Sequence, residues 1–435
     1  MAREASAQSA IPAPDLDFAA GGHLYGTHSI HPYAARCPPP LARWAINEYS
    51  EIGEAVLDPM MGSGTTLVEA CLLGRKALGI DIDPLARLIG KVKATPVSAA
   101  DLRGAVQHLI SVLDDDRLDD GWRPQLPRFD KWFTPQVARD LGAIRVAIQT
   151  LEPTTKIRDL LWVVFSSIIV ARTSVANARD LVHSRHHYRA WQEDPKARRR
   201  FLKKLIQVQK QMAAYDDLLK QASHSEVEVS VIGHDARNVP MADGSVDLVF
   251  TSPPYCSALD YTRAHMFAVA WMPEVLATDP EAYRLLGRDY VGSERAPLSE
   301  AALDRPLPPA LDIPEVDTVI EALAKHPERA WIVFRYFRDM RSTVSEAFRV
   351  LRPGRHLVLV VCPSNIRKVT VATPDLLAEI VRNLSVGSQA PEVVALYERT
   401  LHDHRRVMPY LESAFGTRMR TEYVLVARRP QITAT

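Results

Sequence analysis

Glu54-Ala55-Val56-Leu57-Asp58-Pro59-Met60-Met61-Gly62-Ser63-Gly64-Thr65-Thr66 sets a short apolar run, an acid and a glycine turn in direct succession. Residues 54–57 predict a strand whose carboxyl end is Asp58. Gly62-Ser63-Gly64 then turns the chain into a helix over 65–73, with Gly74 as its stop. Residues 76–80 predict the next strand, and Asp81 follows it, nineteen positions after Gly62. That order is the spacing of a nucleotide-binding βαβ unit. The glycines let a ligand approach the backbone, and a carboxylate at the end of the second strand accepts ribose hydroxyls. Two ligand classes lose on the same residues. A phosphate-cradling P-loop needs a Lys after its last glycine, and none follows Gly64; a dinucleotide site wants a third glycine where Leu67 stands. An ordinary strand-to-helix turn explains Gly62 and Gly64 but gives no reason for Asp58 and Asp81 both to end strands.

A second stretch, Val246-Asp247-Leu248-Val249-Phe250-Thr251-Ser252-Pro253-Pro254-Tyr255, predicts a buried strand over 246–251. Two prolines stop it, because neither can donate to a sheet ladder and each fixes φ. The turn presents a hydroxyl, a carbonyl that no helix captures, and an aromatic ring. Such a set suits a flat polar ligand whose amine donates to Ser252 and the Pro253 carbonyl while Tyr255 stacks on its ring. Taken alone, Pro253-Pro254 is better read as a rigid turn.

The pair of motifs changes that reading. Together they resemble the S-adenosylmethionine-dependent DNA methyltransferases that act on exocyclic amines, which carry a DPFxGSGTT loop and an SPPY or DPPY sequence; the SPPY spelling is similar to the cytosine-N4 type. The resemblance implies an α/β fold, a Rossmann-like class I methyltransferase sheet with a helical insertion, and transfer of a methyl group to a flipped base. It implies cofactor contacts from Asp58, Pro59, Met60, Gly62, Ser63, Gly64, Thr65, Thr66 and Asp81, and a catalytic turn of Ser252, Pro253, Pro254 and Tyr255, with no metal. Asp235, in the Gly233-His234-Asp235-Ala236 turn after a strand over 227–232, is similar to the acid that meets the cofactor adenine. His31, in Thr27-His28-Ser29-Ile30-His31-Pro32-Tyr33, matches a segment that closes over the methionine end; the pattern departs at Ala34, Arg36 and Cys37, where the family has Pro, Lys and Phe. Adenine-N6 DNA or RNA-amine methylation uses the same logic. The changed positions Cys37 and Met60 keep open a non-catalytic DNA-binding subunit.

The rest of the 435 residues bounds the answer. With 47% apolar residues the chain can bury a large core, and Lys plus Arg (53) nearly balances Asp plus Glu (52), so any nucleic-acid surface must come from local clustering. Residues 172–204 supply it, with ten basic residues against three acids. For 196–204 a solvated helix face is the better reading. For 172–189 the mixture of Arg172, Asn177, Arg179, Arg185 and Arg189 with histidines and an aromatic points to phosphate anchors and base-edge donors on double-stranded DNA. Cys37, Cys71, Cys256 and Cys362 form no CxxC pair, which argues against zinc and disulfides and suits a reducing cytoplasm. The apolar run 160–171 is too short to span a bilayer, which needs roughly 20 residues.

The expected organisation is a disordered tail (1–22), a cofactor half (23–100), a helical insertion that reads the target (101–225) and a catalytic half (226–430). Within the last, residues 259–266 should continue the active-site rim and residues 273–314 predict a loop excursion. A helix over 331–351 should stop at Pro353-Gly354, followed by a strand over 357–361, a helix over 375–384 and two closing strands at 392–397 and 422–427. The target sequence, and whether a cognate restriction endonuclease partners the protein, stay open at this stage.

Overall fold

Apolar runs end to end in one sheet explain the architecture. The computed structural model describes residues 14–18, 24–33, 36–114, 118–169, 196–224, 228–256, 260–293, 307–400 and 421–431. Its strands are β1 (Ala55–Asp58), β2 (Lys76–Ile80), β3 (Val229–Gly233), β4 (Val246–Thr251), β5 (Leu351–Val361), β6 (Ser364–Ile366), β7 (Val369–Val371), β8 (Glu392–Thr400) and β9 (Thr421–Arg428). Seven form a mixed sheet in the order β3-β2-β1-β4-β5-β9-β8, and β6 and β7 make a separate hairpin. β1 through β5 pair in parallel, whereas β9 runs antiparallel to both β5 and β8. The strand order reverses between β1 and β4. In an open α/β sheet that switch point opens a crevice at the carboxyl ends of the strands, where ligands bind.

Helices cover both faces because the strands alternate. Leu248, Phe250, Val358 and Val360 pack with Leu41, Ile46, Leu67 and Val68 from the helices Pro39–Tyr49 and Thr65–Leu72. Val249, Leu357 and Leu359 pack on the opposite face with Val333, Phe337 and Met340 of the helix Pro327–Val350. Period-two alternation on a doubly covered sheet leaves β4 buried at every position. A third core lies in the insertion, where the helices Ala99–Leu113, Pro135–Thr150, Thr155–Ile169 and Ala197–Gln221 enclose Leu109, Ile144, Phe165 and Phe201 together with Ile89, Phe267 and Trp271. The insertion thus shares its core with the helices Pro84–Ala94 and Tyr261–Trp271. The helix Ala197–Gln221 also sends Tyr215 into the sheet core, where its hydroxyl donates to the Ala94 carbonyl at 3.0 Å.

Several expectations need correction. The helix Pro327–Val350 ends before Pro353-Gly354, which lies inside β5. The β4–β5 register jumps there, from Val246 opposite Leu351 to Leu248 opposite His356, so the proline falls in a bulge where no ladder bond is required. The 273–314 stretch contains the helices Pro273–Leu276, Pro280–Leu286 and the start of Pro314–Ala322. Residues 14–18 are not a free tail: Leu16 is buried in the core, and Asp17 accepts from the Thr400 backbone at 2.6 Å. The β6–β7 hairpin had no sequence expectation. Among the described residues, no helix is long and apolar enough to cross a membrane.

Candidate active site

The glycine turn sits at the carboxyl end of β1. Gly64, at φ +75°, caps the helix Thr65–Leu72, and a Cβ there would stand 2.5 Å from the Cα of Gly90. Gly64 is therefore required for backbone conformation and for the approach of the helix Pro84–Ala94, and it does not line the cleft. Beneath the turn, the buried Lys93 donates from Nζ to the Ser63 carbonyl at 2.7 Å, and burial pushes this amine well below the usual lysine range. Asp58 is also buried; Thr66 Oγ1 and the Met60 backbone N–H donate to it, and burial pushes its carboxyl up to about 6.

Asp81 follows β2 and closes the turn from the other side. Its Oδ2 accepts from the Gly62 N–H and its Oδ1 from the Asp83 N–H, both at 2.8 Å. Burial, and then the neighbouring charge of Asp83, push Asp81 up to about 7. Asp83 itself is the N-cap of the helix Pro84–Ala94 and accepts from His265 Nδ1 at 2.7 Å and the Tyr283 hydroxyl at 2.8 Å. It thereby ties the turn after β2 to the helices that follow β4.

One cleft gathers these parts. Asp58, Pro59, Met60, Gly62, Ser63, Thr65, Thr66, Asp81, Asp235, Ser252 and Pro254 line it. Ser252 and the Asp58 turn are brought to the same wall by the β1–β4 pairing, Leu57 opposite Val249. Four carboxylates, Asp58, Asp81, Asp235 and Asp289, line the cleft together with Arg36 and Arg237.

His31, Pro253 and Tyr255 lie off the cleft lining. His31 is buried and donates from Nδ1 to the Pro32 carbonyl at 2.7 Å; it does not line the cleft, and from its segment Tyr33 does, against Gly62. Pro253 and Tyr255 are likewise absent from the lining, and the Tyr255 hydroxyl donates to Glu422 Oε1 at 2.6 Å. Asp235 does line the cleft, but both of its oxygens are taken by the Arg237 fork, Nε to Oδ1 at 2.9 Å and Nη2 to Oδ2 at 3.0 Å. Burial would raise its pKa, yet these hydrogen bonds hold it below the usual range. Arg172, Asn177, Arg179, Arg185 and Arg189 lie outside the described residues.

The rim expected at residues 259–266 forms one part of an aromatic wall that no single stretch announces. Tyr33 stacks on Tyr261 at 6.0 Å between ring centroids, and Tyr261 on Tyr290 at 6.3 Å. All three line the cleft, joined by Asp289 and Val291 from the segment after the helix Pro280–Leu286. Only the fold brings these three tyrosines together. Arg237, two residues after Asp235, was the one partner with a local signal.

The chain is similar in sequence to known proteins. Residues 18–89 match the family model described as DNA methylase. The chain is 22% identical over 380 residues to the Type II methyltransferase M.MvaI of Kocuria varians, covering 83% of this chain and 82% of that protein. It is 42% identical over 123 residues to the Type II methyltransferase M.MjaII of Methanocaldococcus jannaschii, covering 26% of this chain and 23% of the relative. A third relative, the Type II methyltransferase M.BsoBI of Geobacillus stearothermophilus, is 23% identical over 248 residues, 51% of this chain and 47% of that one. The family model matches the stretch that builds β1, the glycine turn and β2, the first of these relatives is similar over most of the chain, and both similarities support an N6/N4 DNA methyltransferase.

Proposed function

We propose that this protein transfers the methyl group of S-adenosylmethionine to the exocyclic N4 amine of cytosine in a specific sequence of double-stranded DNA. Methyltransferases of the family use that cofactor. The observation that carries the reading is that Ser252 and the Asp58–Thr66 turn, far apart in sequence, line one cleft at the strand switch point.

When bound, the sulfonium supplies an activated methyl group. The chain's own residues then orient and select. Asp81, fixed by the Gly62 and Asp83 backbone N–H groups, keeps free lone pairs for ribose hydroxyls. Gly62 and Ser63 bring the backbone close to the methionine end, and the Tyr33–Tyr261–Tyr290 wall offers flat apolar surface. An aromatic amine is a poor nucleophile because its lone pair is delocalised into the ring. Ser252 Oγ and the Pro253 carbonyl are the acceptors that draw its two N–H groups toward tetrahedral geometry, so the protein contributes orientation for in-line transfer. The serine head is a neutral acceptor, and SPPY goes with cytosine-N4 in the family the motif resembles. The base leaves the duplex to reach the turn, and Tyr255 replaces part of its lost stacking.

Label transfer from tritiated S-adenosylmethionine to unmethylated genomic DNA tests this. Wild-type protein should label DNA, and Ser252→Ala should slow labelling on the order of a hundredfold, as loss of one polarising hydrogen-bonding group does. Full activity of Ser252→Ala would remove the serine from the mechanism.

A further inference from the structure

The Tyr255 phenol is held by an ion pair on the two strands that close the sheet. Arg399, on β8, is fully buried; its Nη1 donates to Glu422 Oε2 at 2.7 Å, and Glu422, on β9, accepts the Tyr255 hydroxyl on its other oxygen at 2.6 Å. Arg399 Nε and Nη2 are buried with no hydrogen-bond partner. A buried pair that leaves two guanidinium donors unsatisfied is a poor stabilising device, and apolar residues of similar size would serve stability as well or better. Its geometry does accomplish one thing: it fixes the Glu422 carboxylate against the phenol. Burial, and then Glu422, push the phenol well above its usual range, so it stays protonated as the donor.

The rest of the turn is pinned as well. Ser364 Oγ on β6 donates to the Cys256 carbonyl at 3.1 Å. Gly292, at φ +77°, lies so close that a Cβ there would stand 2.7 Å from the Tyr255 carbonyl oxygen. Three separate elements thus converge on residues 254–256, and the ion pair, with Cys362 beside it, meets the phenol itself.

We infer that Glu422 and Arg399 are positioning residues for methyl transfer, holding the Tyr255 ring in the orientation in which it receives the flipped base. The inference rests on the proposed role of Tyr255. A ring anchored at its hydroxyl loses rotational freedom before the base arrives, so the stacked geometry is preorganised; loosening it should slow the chemical step and leave cofactor binding alone.

The test compares single-turnover methyl transfer to unmethylated genomic DNA with calorimetric S-adenosylmethionine binding. Tyr255→Phe, which deletes only the hydroxyl, should slow single turnover on the order of ten- to a hundredfold, with the cofactor Kd unchanged. Arg399→Met combined with Glu422→Leu removes both charges together, so the fold is kept, and should give the same loss. Adding Tyr255→Phe to that pair should cost nothing more, because all three changes break one linkage. Glu422→Gln, whose amide still meets the phenol, should keep most of the activity. Wild-type turnover by Tyr255→Phe, or losses that multiply when the changes are combined, would overturn the inference. Full activity of Tyr255→Ala would instead refute the role of Tyr255 itself, so the two failures are distinguishable.

Discussion

Replacing Asp81 with Ala tests the cofactor half of the site most sharply. In the free protein its two oxygens hold the Gly62 and Asp83 N–H groups at 2.8 Å, and the residue lines the cleft. Removing a charged acceptor from ligand hydroxyls costs about 1.5–3 kcal/mol. The S-adenosylmethionine dissociation constant should therefore rise roughly ten- to 150-fold. The carboxyl also gives a pH signature. Its pKa is pushed up to about 7 by burial and by Asp83, so in the free protein a proton competes with the ligand below neutrality. Hydroxyls donate to the ionised form, so binding releases that proton. Wild-type affinity should rise with pH up to about 7, by as much as about tenfold per unit, and then level. Asp81→Ala should lose this slope. Asp58, pushed up to about 6, titrates lower and remains in the variant, and the ligand's own titration is common to both proteins. Calorimetric titration of both proteins across this range decides the matter. An unchanged dissociation constant, or an identical pH slope in the variant, would refute the assignment of Asp81 to the ribose.

Further outcomes follow from the same account. Tyr255→Ala should nearly abolish methyl transfer while calorimetric S-adenosylmethionine binding persists, because the ring is assigned to the base. Gly64→Ala should lower the melting temperature measured by calorimetry, since the left-handed φ of +75° and a Cβ 2.5 Å from Gly90 Cα each oppose a side chain; a cost of at least about 1 kcal/mol is expected. If Arg179 and Arg185 contact phosphates, replacing both with Ala should weaken DNA binding and flatten its log–log salt dependence by roughly 0.9 per lost contact. An unchanged slope would return that run to an ordinary solvated segment.

What could be read from the sequence was what local chemistry dictates. The strand, turn, helix and strand from Ala55 to Ile80 were legible because period and glycine position agree within a short window, and β2 and β4 fall on their expected residues. Pro353-Gly354 misled because a proline and glycine signal a stop locally, while the sheet tolerates them in a bulge between β4 and β5. The short helices after β4 hid under prolines that start helices as readily as they end strands. The candidate site divides the same way. The residues of the glycine turn announced themselves by spacing and Tyr261 by following the catalytic strand, whereas Tyr290, Arg399 and Glu422 have no local mark and meet the site through tertiary packing. His31 carried the resemblance, yet its ring turns to the Pro32 carbonyl and leaves Tyr33 on the cleft wall.

The central claim is that this cleft methylates the exocyclic amine of cytosine, and the product base tests it most directly. Purified protein is incubated with unmethylated genomic DNA and S-adenosylmethionine, the DNA is digested to nucleosides, and the methylated nucleoside is identified by mass spectrometry. The account predicts N4-methyldeoxycytidine. N6-methyldeoxyadenosine in its place, or no methylated nucleoside on any DNA, would contradict it.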